Sequence, residues 1–179
     1  MNSNYSDELT KVTTELTELF SSEDLSLLNK KYSADSWSVA QCIDHLIVSN
    51  EKYFPLLIAF QSSKHKMTFW ERNNPFTKSI GKQMINTLGP IIIKKYQAPK
   101  LFLPRRSAIR ESIINDFIQH QQKLISIIDK LSQEQIELGV ITSPVAGLIT
   151  LRLKDALTVL VVHEQRHLEQ MKRIFALLK

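Results

Sequence analysis

Two histidines four residues apart, His163 and His167, bracket the string HEQRH near the C-terminus. On an α-helix an i, i+4 pair shares one face about one turn apart, so both imidazoles can reach a single metal ion. A helical wheel puts them at the centre of an apolar stripe formed by Leu153, Ala156, Leu160, Met171, Ile174 and Leu178. Neutral imidazoles on a core seam are costly unless they have partners, which favours ligands over an idle surface pair. Gln170 follows on nearly the same face, so a polar band interrupts the seam.

The same five residues satisfy His-Glu-x-x-His, the pattern of the zincin proteases. That chemistry needs a third ligand downstream. Only twelve residues follow His167, and none is His. The metzincin extension requires Gly and His where this chain has Gln170 and Arg173, and Glu169 is too close to His167 to act as a remote glutamate ligand. The protease reading is set aside. Glu164 remains a candidate general base or outer-sphere group.

A third ligand must come from His45, His65 or His120. His65 lies in the lysine-rich SSKHKM, and His120 lies among Gln119, Gln121 and Gln122, so both are expected at the surface. His45 sits roughly a quarter turn from the centre of its helix's apolar stripe and borders the core. Geometry ranks it first without deciding the matter.

Four helical segments would position these residues. The first is expected from Asp7 to Phe20, with Ser6 as N-cap and Leu9, Val12, Leu16 and Leu19 as its apolar face. The second spans Val39 to Gln61, opened by a Ser38/Gln41 capping box and kinked or ended early by Pro55. The third runs from Ser107 to Leu131, along Ile109, Ile113, Phe117, Leu124 and Ile128, with Ser132 capping a short extra turn. The fourth runs from Thr150 to the C-terminus. Between the second and third lies a proline-containing crossover, Asn73 to Arg106, with room for one short helix in PFTKSIGKQMINTLGP. There is no repeat, and no alternating run long enough for a sheet; Ile91-Ile92-Ile93 is too short to count. Four helices with one long crossover predict an all-α helix bundle, in which sites are built from facing helices.

Composition agrees. A chain of 179 residues with 43% hydrophobic and 23% charged residues is expected to fold as one globular domain over 1–179. Four glycines are too few for a chain of tight turns, which argues against a β-sandwich or propeller. The single cysteine, Cys42, excludes an internal disulfide framework and a Cys-rich zinc module. The net charge of +5 allows an anionic partner, but no nucleic-acid motif accompanies it, so nucleic-acid binding is not expected. The N-terminal MNSNYSDELTKVTTEL lacks the order of a signal peptide, and no apolar run approaches the roughly 18 residues of a membrane span. A cytoplasmic protein with no membrane partner is expected.

The strings WSVAQCIDHL and HEQRHLEQMKRI, in this order, resemble the DinB-like superfamily, which includes the YfiT-like proteins. The family pattern is Trp-Ser followed by a His on the second helix, then His-x-x-x-His on the last, matched by Trp37, Ser38, His45, His163 and His167. SIGKQMINTLGP, APKLFLPRRS and ITSPVAGLITLRLKDAL extend the resemblance over about residues 35–175, to the type 2 subgroup. It implies an up-down-down-up four-helix bundle with a metal site of His45, His163 and His167, completed by water. Three histidines with open positions suit a divalent ion, zinc or nickel above all. Some proteins of this kind are thiol-dependent S-transferases using a low-molecular-weight thiol; others are described as metal-dependent hydrolases. The resemblance thus implies a metal-dependent transferase or hydrolase acting on a small electrophile, with a non-catalytic metal-binding stress-response module as the alternative. Gln170 and Arg166 match the family's Arg-His-x-x-Gln string. Gln170 is a candidate catalytic partner of Glu164, through a hydrogen bond to water or substrate, and Arg166 is a candidate anion contact. Cys42 is read as a small buried hydrophobe and Trp37 as a packing anchor. Lys94, Lys95, Lys100, Arg105, Arg106 and Arg110 are read as a solvated crossover. Homodimers occur among such proteins, and one is expected here.

Overall fold

The computed structural model describes residues 3–90, 98–105, 108–144 and 146–179. It is mostly helical. The chain begins with α1 (Ser3–Phe20) and a short α2 (Leu25–Asn29), followed by α3 (Val39–Glu51) and α4 (Phe54–Gln61). Then come α5 (Phe69–Asn73), α6 (Thr77–Leu88) and a single 3-10 turn at Lys100–Phe102. The remaining elements are α7 (Ile113–Asp129), α8 (Gln133–Leu138), β1 (Val140–Thr142), β2 (Thr150–Arg152) and the long α9 (Leu153–Leu178). Helices α1 and α3 each pack against both α7 and α9, and α6 lies along α9. Among the described residues, no helix is long and apolar enough to cross a membrane.

Local chemistry explains most boundaries. Ser38 accepts from Gln41 N and Gln41 Oε1 accepts from Ser38 N, so the capping box fixes the start of α3. The expected second helix divides at Lys52–Tyr53, because Pro55 occupies the first turn of α4, where its missing N–H costs nothing. Ser132 caps α8 as expected, and Gln135 completes a capping box with it.

Other boundaries correct the sequence reading. Helix α1 begins at Ser3, so Ser6 is not an N-cap; its hydroxyl lies inside the helix and donates to Asp129. Helix α7 begins at Ile113 rather than near Ser107, which is outside the described residues. The Asn29 side chain accepts from Ile109 N and donates to Ile109 O, holding the backbone there away from a helical ladder. The expectation of no sheet also fails. β1 and β2 pair antiparallel, with Ile141 opposite Leu151, and the buried Glu71 carboxylate accepts from both the N–H and the hydroxyl of Thr142. Ile91–Ile93, Lys94, Lys95 and Arg106 lie outside the described residues.

The core falls into two apolar clusters separated by a polar layer. One holds Leu9, Tyr53, Leu124, Ile128, Leu157 and Leu160. The other holds Leu16, Ile43, Phe117, Leu168 and Met171. Along α3 into α4, buried Ser49 and Asn50 separate Ile47 from Tyr53; along α7, His120 and Gln121 separate Phe117 from Leu124; along α9, His163, Glu164 and His167 come between Val161 and Leu168. Polar side chains buried on three helices at one level need one another as partners.

Helices α6 and α9 approach closely at Gly81. A Cβ there would lie 2.4 Å from Asp155 Oδ2 and 2.8 Å from its Cγ, and that carboxylate is held by Arg152 Nε at 2.6 Å. Gly81→Ala gains about 1 kcal/mol of helix propensity but overpacks a tight contact, which costs about 1–3 kcal/mol. The Arg152–Asp155 pair is disturbed as well. We expect a lower urea midpoint; an unchanged or higher one would show that the interface gives way freely.

Candidate metal centre

His45 comes from α3, and His163 and His167 from α9. The capping box sets the start of α3, and the packing of α3 on α9 brings the rings together. His163 Nε2 lies 3.3 Å from His45 Nε2 and 3.1 Å from His167 Nε2. Among the described residues these three form the group of His, Cys, Asp or Glu able to hold a metal ion, with ligand atoms all within 4.8 Å of one another. A tetrahedral ion about 2.0–2.1 Å from each nitrogen sets its donors about 3.3–3.4 Å apart, close to the two separations from His163 Nε2.

The donor chemistry fits as well. His45 Nδ1 is 2.5 Å from the carbonyl oxygen of Phe102. A carbonyl only accepts, so Nδ1 carries the proton and Nε2 presents its lone pair to the cluster. Ser49 Oγ lies 3.4 Å from the same Nδ1. Burial keeps the imidazoles neutral, as metal ligands must be. Desolvation, together with neighbouring charges, pushes His163 down to about 3 and His167 well below its ordinary value. Desolvation also lowers His45, only partly offset by its bond to Phe102. Gln170 sits beside His167 and slightly offsets that fall, although His167 Nδ1 has no well-aligned partner of its own.

Trp37 covers the rings. Its indole stacks on His167 at a centroid distance of 6.1 Å and tilts over His45 at 4.7 Å. The residue expected as a packing anchor therefore packs on two of the candidate ligands themselves. His45 and His167 are buried, whereas His163 is only half-buried and forms the side nearest solvent.

Glu164 and Gln170, the two candidate catalytic residues, have different surroundings. Glu164 is fully buried, and its carboxylate accepts from Asn50 Nδ2 and Gln121 Nε2, both at 2.6 Å. It thereby ties α9 to α3 and α7 beside the histidines. Desolvation raises its pKa to about 7, against the pull of the two amide bonds. Gln170 stays half-buried next to His167.

Arg166, read as an anion contact, donates to the carbonyls of Thr87 and Gly89 at 3.1 and 3.0 Å. It satisfies acceptors left over at the C-terminal end of α6. Cys42 is buried in the apolar core, where desolvation pushes its thiol pKa up. Arg105 and Arg110 of the expected solvated crossover are paired with Asp44 and Asp116.

Two histidines expected at the surface are not there. His120 is buried, its ring stacked on Phe54 at 5.0 Å and its Nε2 without a partner. His65 stacks on Phe60 at 4.1 Å and lies 3.5 Å from Glu71. The glutamines around His120 suggested a polar face. Gln121 in fact points inward to Glu164, and the spacing Phe117–His120–Gln121–Leu124 already put the polar pair on the apolar stripe.

A mostly helical chain that brings three neutral imidazoles together from two packed helices defines a class: helical proteins with a histidine site able to hold a divalent ion. A family model described as the DinB superfamily matches residues 8–171, and the chain belongs to that superfamily. No curated protein and no solved structure gives a significant match.

Proposed function

We propose that this protein is a divalent-metal-binding enzyme that transfers a low-molecular-weight thiol to a small electrophile, or hydrolyses it, within an up-down-down-up four-helix bundle. The observation that supports the reading most directly is the convergence of ligand atoms of His45, His163 and His167 within 4.8 Å of one another, with His163 Nε2 3.3 and 3.1 Å from the Nε2 atoms of the other two. Zinc or nickel suits such a donor set. When bound, the ion supplies Lewis acidity that lowers the pKa of a water or thiol joining it. The chain's own groups do the rest. The Phe102 carbonyl orients His45, Trp37 shields two rings from water, and Gln170 offers an amide beside His167. Glu164 holds Asn50 and Gln121 and sets the spacing of the helices that carry the ligands.

The cover that Trp37 lays over two of the three rings favours a second reading, a non-catalytic metal module. A panel of thiols and electrophiles, assayed with zinc- and nickel-loaded protein, separates the two. The enzyme reading expects turnover that disappears in His163→Ala. Turnover equal in the variant, or metal binding with no turnover on any pair, would contradict it.

A further inference from the structure

We propose that Asp44 and Arg105 form a latch that positions His45 for metal binding, so that filling of the site and seating of residues 98–105 on α3 are coupled. The inference rests on the metal-site reading above. Asp44 and His45 are consecutive on α3, and both reach the same short segment. Asp44 Oδ2 accepts from the backbone N–H of Arg105 at 2.6 Å. Its Oδ1 accepts from Arg105 Nε at 2.9 Å and Nη2 at 2.8 Å. Three residues earlier in that segment, the Phe102 carbonyl accepts from His45 Nδ1.

Two prolines restrict this segment, and one of them, Pro104, lies between the two contacts. Pro99 precedes the 3-10 turn and Pro104 precedes Arg105, and each ring fixes its own φ. Seating Arg105 on Asp44 therefore delivers the Phe102 carbonyl to the imidazole at a set position. That carbonyl decides which nitrogen of His45 is protonated and which way the ring faces. Outer-sphere partners of this kind typically change metal affinity 10–100-fold. Coupling is reciprocal, so an ion that needs His45 in this orientation must also favour the seated segment.

Arg105 suits a test because its side chain is 52% exposed while that of Asp44 is 6% exposed. Removing the guanidinium opens no core void, and the backbone N–H bond to Asp44 can persist. Zn²⁺ affinity would be measured by chelator competition in the full chain, with hydrogen exchange over residues 98–105 read with and without Zn²⁺. We expect Arg105→Ala to lose about 10-fold in affinity, Arg105→Lys to recover part of it, and Asp44→Asn to fall at least as far as Arg105→Ala. The visible spectrum of the Co²⁺-loaded protein should change in Arg105→Ala, which a purely structural role would not cause. Zn²⁺ should slow exchange over the segment in the wild type and much less in Arg105→Ala. Equal affinity and equal Co²⁺ spectra in wild type and Arg105→Ala would overturn the latch and leave the metal site standing. A wild type that binds no Zn²⁺ would remove both.

Discussion

His163→Ala is expected to weaken metal binding by more than 100-fold and to remove metal-dependent thermal stabilisation. His163 is the central donor of the three, at 3.3 Å from the Nε2 of His45 and 3.1 Å from that of His167. Its loss leaves two donors contributed by different helices. Loss of an outer-sphere partner already costs up to about 100-fold, and loss of a direct donor must exceed that. An ion that binds only the folded chain raises its stability by RT ln(1 + [L]/Kd), so a thermal melt with and without Zn²⁺ reads the same change. His163 is half-buried, so truncation should leave the fold intact. A variant with the wild-type shift in melting temperature on adding Zn²⁺ would show that the ion binds elsewhere.

The second large effect is acid sensitivity of the metal-free protein. Desolvation holds His45, His120, His163 and His167 below their ordinary pKa of 6.5, with His120 at about 4 and His163 at about 3. These groups are neutral when folded but take up protons when unfolded below pH 6.5. Their contribution is complete above pH 6.5 and is lost as pH falls toward the folded values. Glu164 acts in the opposite direction. Burial raises its folded pKa from 4.5 to about 7, so its stabilising effect is present below pH 4.5 and is lost as pH rises through about 7. Between pH 4.5 and 6.5, unfolding takes up protons on His120, His163 and His167 and releases one from Glu164, a net uptake of about two, to which His45 adds in the same direction. The slope is then on the order of 3 kcal/mol per pH unit. Against a typical stability of about 5–15 kcal/mol, the metal-free chain should unfold within a few pH units below 6.5. Urea titrations of metal-free protein at stepped pH check this directly, and a midpoint flat from pH 6.5 to 4.5 would contradict it. His120→Phe should flatten the slope by about one proton.

The distribution of buried polar groups explains how much of this was legible in the sequence. The His163/His167 pair was visible because helical period alone places i and i+4 on one face, and the capping box of α3 was visible because it is local. The third candidate ligand was not settled by pattern alone. His45 joins the pair through the packing of α3 on α9; its wheel position ranked it ahead of His65 and His120, and the resemblance to the DinB-like proteins decided between them. His120 and Gln121 were misread for the same reason: a polar pair on a core stripe looks solvated until its partners, Phe54 and Glu164, are known. The β1–β2 hairpin was missed because three residues per strand carry too little alternation. It is also tied to the distant Glu71 carboxylate through Thr142. The Phe102 and Arg105 contacts to α3 had no local signal, since they join positions 57 and 61 residues apart.

Elemental analysis of the purified full chain beside its His45→Ala variant tests the central claim most directly. About one equivalent of a divalent first-row metal per wild-type chain is expected after loading and desalting, and close to none in the variant. No metal in either protein, or the same amount in both, would contradict it.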